Sequence, residues 1–299
     1  MLIEHSGEAA ALFTAFCWTI TALSFEVATK KVGSFAVNLI RLVLALMFLS
    51  IFCHFKRGIA FPVDANFQNW LWLSISGIVG LTLGDYFLFK AYAMITSRKS
   101  QLVMTMVPVI TIILGWTLMN EKLSGMNILG ISVTMTGILI TLLKRNLNEL
   151  DYDRKYRIKG IFYAFLGAIG QALGLILSKK GMGNYDAFAS SEIRLIVGLL
   201  GYIILISSLK RWSSITVALK NRKAMTSITI GSIFGPFLGI SFSLIAIQNT
   251  STGIASTIMA IVPILIIIPS VIFYKQKITW REILGSFISV GGVALLFLK

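Results

Sequence analysis

The sequence predicts an all-α integral membrane protein whose ten transmembrane helices form two inverted five-helix repeats. Three observations predict it. Apolar runs long enough to cross a bilayer recur along the whole chain, charge is confined to brief separators between them, and the two halves carry the same residues at the same spacing. Of the 299 residues, 56% are hydrophobic and 13% charged, with a mean hydropathy of +0.84. Soluble domains carry about 25% charged residues. A chain this apolar cannot solvate its surface in water, and no stretch remains for a water-soluble domain.

A helix needs roughly 20 apolar residues to span the hydrocarbon, because each backbone N–H and C=O must be satisfied within the segment. Ten segments qualify: 9–29, 33–55, 70–95, 100–120, 123–143, 160–179, 187–209, 224–247, 252–274 and 279–298. Short basic or polar separators divide them, among them Lys30-Lys31, Lys56-Arg57, Ser97-Arg98-Lys99, Glu121-Lys122, Lys179-Lys180, Lys210-Arg211 and Lys275-Gln276-Lys277. No charge occurs between Ala224 and Tyr274, too long a run for one helix, so the polar stretch from Gln248 to Gly253 divides two spans. The most polar region, Lys144 to Lys159, reads as the connection between halves. The expected units are a first repeat over 1–145, a polar linker over 146–158 and a second repeat over 159–299.

Ile40-Arg41-Leu42 matches Ile193-Arg194-Leu195. Gly80, Gly84, Ala91, Val107-Pro108, Lys122, Gly130 and Gly137 fall opposite Gly235, Gly239, Ala246, Val262-Pro263, Lys277, Gly285 and Gly292. An odd number of spans per repeat makes the second copy enter the membrane from the opposite side, which is the pattern of alternating-access carriers. Lys and Arg concentrate in the linker and in the separators after odd-numbered spans. The linker is therefore expected in the cytoplasm and both termini outside.

Other classes lose support on the same page. The net charge of +15 is distributed as short topogenic clusters rather than along one face, so no nucleic-acid partner is expected. The first run has Glu4 and Glu8 before it and no small-residue cleavage site, so it reads as a retained span. Cys17 and Cys53 sit inside apolar runs, and His5 and His54 lack ligand spacing. Neither a metal nor a cofactor is implied, and no nucleophile–base pair suggests an enzyme.

The ten-span duplication, an arginine one-third into the second span of each half, and Val107-Pro108, Gly115, Asn120-Glu121-Lys122-Leu123, Gly130 and Gly137 resemble the EamA family of the drug/metabolite transporter superfamily. The second half carries Pro263, Gln276-Lys277, Gly285 and Gly292, and departs from the pattern where Gln276 replaces the acid. The resemblance implies export of small metabolites, amino acids or derivatives foremost, through a central cavity without ATP. The expected location is the cell membrane of a bacterium or archaeon.

Ionisable groups inside a bilayer are costly and face a cavity or a partner. Asp85, more than two turns from either end of the third span, can hold a proton or a substrate ammonium group, or form a buried ion pair. Arg41 and Arg194 can clamp a carboxylate or hold structure. Glu192 is a second proton-carrier candidate, or half of an interhelical pair. It lies two positions before Arg194, which puts the two on different faces. Glu26 stands four residues before Lys30 in salt-bridge orientation. Lys90 can reach a substrate or snorkel to the interface. Trp18, Tyr86, Tyr92, Tyr163 and Gln171 can line a pocket or pack against lipid and neighbouring helices. Gly84 and Gly239 belong to small-residue rows that permit close helix approach, and Pro108, Pro236 and Pro263 are kink or gating positions. The functional reading is a secondary transporter of a small molecule, embedded in lipid, with proton coupling through Asp85 or Glu192. Proton-coupled antiport of drugs or organic cations is the alternative. Both inverted halves lie in one chain, so a monomer is sufficient.

Overall fold

The computed structural model describes residues 5–119, 125–142, 151–250, 252–273, 275 and 278–295. Glu121, Lys122, Gln276, Lys277 and the linker residues Lys144 and Arg145 lie outside the described residues. Among those described every regular element is helical.

The first helical run, Ser6–Arg57, is 52 residues long, enough for two crossings, and it breaks at Gly33, whose φ of 81° and ψ of 159° suit a residue without a Cβ. We call its parts α1 (6–32) and α2 (34–57). Lys30 and Lys31, expected in a connection, complete the last turn of α1 instead. Helix α3 (Phe67–Met94) opens on a capping box in which Asn66 and Asn69 each accept from the other's backbone N–H. Helix α4 (97–119) starts behind Thr96, whose hydroxyl accepts from Lys99 N at 3.3 Å. Helix α5 is Gly125–Leu142.

Helix α6 (Asp151–Met182) begins inside the stretch expected as linker, so residues 151–158 are helical. Helix α7 (Ala187–Ser208) is capped by Asp186, which accepts from Phe188 N and Ala189 N, both at 3.0 Å. A short helix, Ser213–Lys220, occupies the following connection, where the sequence suggested only a basic loop. Then come α8 (Arg222–Asn249), α9 (252–272) and α10 (Trp280–Leu295). The long apolar helices Phe67–Met94, Arg154–Met182, Ala187–Ser208 and Arg222–Asn249 each reach the length of a bilayer crossing.

Two pairs of irregularities recur at matching places in the two halves. Helix α3 widens to a π-helix over Gly77–Gly84, and α8 does so over Ile233–Gly239, around Pro236. Helix α4 breaks between Met104 and Met106, and α9 breaks after Met259. The cause of the second pair is readable in the chain. Proline has no N–H and its ring collides with the carbonyl four residues earlier. For Pro108 and Pro263 those carbonyls belong to Met104 and Met259, the last residues of the interrupted segments.

Packing follows the glycine rows. A Cβ added at Gly170 of α6 would lie 2.6 Å from Gly84 Cα, so α3 and α6 touch backbone to backbone. Helices α5 and α10 pair across the halves, where Thr134 Oγ1 donates to Ser289 O and Ser289 Oγ donates to Thr134 O, each at 3.4 Å. Gly170→Leu is expected to force α3 from α6 and to destabilise the fold by about 1–3 kcal/mol or more. Gly291→Ala, at a site with nothing within 4 Å, is expected to leave thermal unfolding in detergent unchanged.

Candidate functional site

A cavity of ≈ 130 Å³ lies between the halves, walled by α1–α4 from the first and α6–α9 from the second. Among the described residues, helices α5 and α10 contribute none to its lining. Both pairs of irregular segments meet it: Leu81 and Asp85 from the π-turn of α3 and the helix just after it, Gly235 and Pro236 from that of α8, Met104, Thr105 and Pro108 from the break in α4, and Met259, Ala260 and Pro263 from that after Met259 in α9.

Of the residues singled out in the sequence, Trp18, Arg41, Asp85, Tyr92, Gln171, Arg194, Pro108, Pro236 and Pro263 line the cavity. Gly84 and Gly239 stand behind its wall. Gly84 admits α6, and at Gly239 a Cβ would meet the Trp18 indole at 2.8 Å, so the missing side chain seats that ring. Tyr86, Lys90 and Glu192 are outside the lining. The Lys90 ammonium lies 4.5 Å from the Tyr86 ring centre and 5.3 Å from that of Tyr163, a cation–π arrangement in place of a substrate contact. Glu192 is buried elsewhere in α7, where Ser50 Oγ donates to its Oε1 at 2.6 Å and its Oε2 has no partner. Glu192 and Arg194 thus face different surroundings, as their spacing predicts.

Asp85 is fully engaged. Arg41 donates from Nη2 to Asp85 Oδ2 at 2.5 Å, and Gln171 donates from Nε2 to Oδ1 at 2.7 Å. Asn38 completes the cluster, accepting from Arg41 Nε at 2.9 Å and donating to the Asp85 backbone carbonyl at 3.4 Å. The Arg41 guanidinium also lies 4.8 Å from the Phe89 ring centre and 5.9 Å from that of Phe25. Asn38 is the contributor that the sequence reading passed over. Its signal was an amide inside an apolar run, three residues before Arg41 and so on the same helical face. Gln101, which donates to the Tyr92 hydroxyl at 2.7 Å, was also missed, because it sits close to the expected start of its span.

Arg194 differs from its repeat mate. It is 4% exposed, lines the cavity and makes no hydrogen bond or ion pair among the described residues, and its Nε is without a partner. Arg41, Asp85 and Arg194 are the charged residues of the described lining. The first two cancel, so the cavity carries one net positive charge.

Polar clusters join helices at both ends of the bundle. At one end, Glu26 accepts from Ser97 N at 2.9 Å, from the Ser97 hydroxyl and from Lys30 Nζ at 2.5 Å. Beside them Arg98 pairs with Glu282 at 3.2 Å, across the two halves. At the other end Lys56 pairs with Asp186 at 2.8 Å, and Asp64 holds Arg57 at 2.5 Å and the Tyr185 hydroxyl at 2.7 Å. Burial, with the Asp64 carboxylate beside it, pushes the Tyr185 phenol up to about 12, so this end keeps its proton across physiological pH.

Removing one partner of a buried ion pair leaves an uncompensated charge, which costs about 3–5 kcal/mol. Asp85→Asn is expected to lower stability on that scale. The double variant Arg41→Gln/Asp85→Asn is expected to regain most of the loss, as read by denaturant unfolding in detergent micelles.

Known proteins agree with this architecture. The model of the EamA-like transporter family matches residues 5–143 and again 158–298, one match per repeat. The human solute carrier family 35 member G1 is 24% identical over 281 residues, 92% of this chain and 74% of the relative. An uncharacterized transporter of Archaeoglobus fulgidus is 24% identical over 290 residues, 96% of each chain. A protein of known crystal structure, 17% identical, superposes with a TM-score of 0.64 over 97% of this chain and 96% of its own, which shows the shared fold. The chain is an integral membrane protein with two copies of one transporter repeat, and it belongs to the EamA-like transporter family.

Proposed function

We propose that the protein exports a small carboxylate-bearing metabolite, of the class of amino acids and their derivatives, by alternating access through the cavity between its halves. The observation that carries this reading is Arg194: a buried guanidinium, unpaired among the described residues, on the wall of a cavity formed by both repeats. A guanidinium offers two parallel donors that match the two oxygens of a carboxylate. Inverted repeats supply the motion, since rocking one bundle against the other exposes the same site to either side. The ion-paired clusters at the two ends are placed to open and close in turn. The expected setting is the cell membrane of a bacterium or archaeon, with the linker cytoplasmic and the termini outside.

Proton coupling is assigned to Glu192. Its carboxyl is buried, accepts from a hydroxyl rather than a cation, and leaves one oxygen without a partner, open to a proton. Asp85 is less suited, because both of its oxygens are held. The same engagement weakens the organic-cation reading, since Asp85 is the lining acid among the described residues and is already neutralised by Arg41.

The test is uptake of a labelled panel of amino acids, their derivatives and organic cations into proteoliposomes, with and without a pH gradient. A carboxylate-bearing substrate is expected to show saturable uptake that the gradient accelerates. Arg194→Gln should lower that uptake by at least about 10-fold, the scale of a lost charge-assisted contact. Glu192→Gln should abolish the response to the gradient while leaving exchange intact. Uptake of cations alone, unaffected by Arg194→Gln, would overturn the proposal.

A further inference from the structure

Resting on that transport reading, and narrowing its substrate class to derivatives that lack the amino group, we infer that the cavity selects a monocarboxylate without an ammonium group: an organic monoanion with an apolar body about the size of benzene. An amino-acid zwitterion needs an acceptor for its ammonium as well as a donor for its carboxylate. The lining's neutral oxygens, those of Gln171 and Ser243 among them, carry no charge to balance an ammonium. The lining acid Asp85 is already balanced by Arg41 at 2.5 Å and bound by Gln171 at 2.7 Å. No second acid lines the cavity among the described residues. An ammonium would add a third cation to a lining that holds two cations and one acid, where like charges repel in a poorly solvated space.

The remaining charge sets the charge of the ligand. Arg194 is a single buried cation with an unpartnered Nε, and one carboxylate compensates it. A phosphate monoester, at about −1.5 to −2 near neutrality, exceeds that charge. Arg41 cannot serve as a second anchor, because Asn38 and Asp85 occupy it and Phe89 covers it.

The rest of the wall sets the body. Trp18, Leu175, Ile240 and Met259 are apolar, and the ≈ 130 Å³ they help enclose is close to the ~150 Å³ of a protein cavity that accepts benzene. A six-carbon chain or ring fits that space.

Three probes share one branched body and differ only in charge: 4-methylpentanoate, leucine and 3-methylbutylamine. Calorimetric titration of the purified full-length protein in nanodiscs is expected to show 4-methylpentanoate binding at least about 10-fold more tightly than leucine, with no binding of the amine. Arg194→Gln should remove the binding, and Arg194→Lys should restore part of it. Leucine binding as tightly as 4-methylpentanoate overturns the inference, as does failure of all three to bind, or binding untouched by Arg194→Gln. The ranking of probes uses the wild-type protein, so it stands even if a variant misfolds. Counterflow in proteoliposomes separates the two claims. Arg194-dependent binding of 4-methylpentanoate without counterflow sinks the transport reading alone, whereas leucine counterflow without any preference for the anion sinks the selectivity alone.

Discussion

A backbone that crosses hydrocarbon has no water to satisfy its polar groups, and irregular backbone survives at membrane depth only where protein or a cavity receives it. The architecture follows from that constraint. Regular helix carries the chain across the membrane, and the departures from it gather around one space. The π-turns of α3 and α8 and the proline breaks of α4 and α9 all reach the cavity. Side chains meet part of the resulting demand: the Gln171 amide lies 3.4 Å from the Gly80 carbonyl inside the π-turn, and Thr105 donates its hydroxyl to Leu102 O at 2.7 Å beside the break in α4. Local weakness of the helices and the shape of the cavity are therefore one feature, and the duplicated pattern places it symmetrically about the bundle.

Charge breaks that symmetry. The duplication supplied two arginines, Arg41 and Arg194, and one acid, Asp85, whose counterpart in the second half is Ile240. Asp85 and Ile240 both face the cavity. The first half spends its arginine on a closed ion pair that ties α2 to α3, with Gln171 tying in α6. The second half leaves its arginine facing the cavity without a hydrogen bond or ion pair among the described residues. A buried pair contributes less to stability than to fixing one arrangement. Here that arrangement makes Asp85 part of the scaffold and gives the polarity of the site to Arg194. The carboxyl of Glu192 lies two residues away on the same helix but outside the cavity.

Much of this was legible in the residues alone. Ten spans, their near-boundaries, the duplication, the small-residue rows and the kink prolines all follow from local rules: hydropathy over about 20 residues, the spacing of repeats, and the missing N–H of proline. The salt bridge between Glu26 and Lys30 was legible for the same reason, since both residues sit on one helix. The helical start of α6 at Asp151 was not, because charged residues that look like linker in a membrane context also make good helix outside it.

What the sequence by itself determined is which residues enter the membrane, how many times, and which of them carry charge there. Only the tertiary structure decided which charges neutralise each other. Asp85 and Arg41 lie 44 residues apart, and Gln171 a further 86 beyond Asp85, so their contact depends on how α2, α3 and α6 pack. Glu192 looked as eligible as Arg194 by position in its span, and Lys90 could reach a substrate or snorkel, yet their helices turn them toward a serine and aromatic rings. Rotation of a helix about its own axis costs almost nothing in local hydrogen bonding, so neither composition nor spacing can set it. Packing sets it, through the close approach of α3 and α6 at Gly84 and Gly170 and the seating of Trp18 against Gly239.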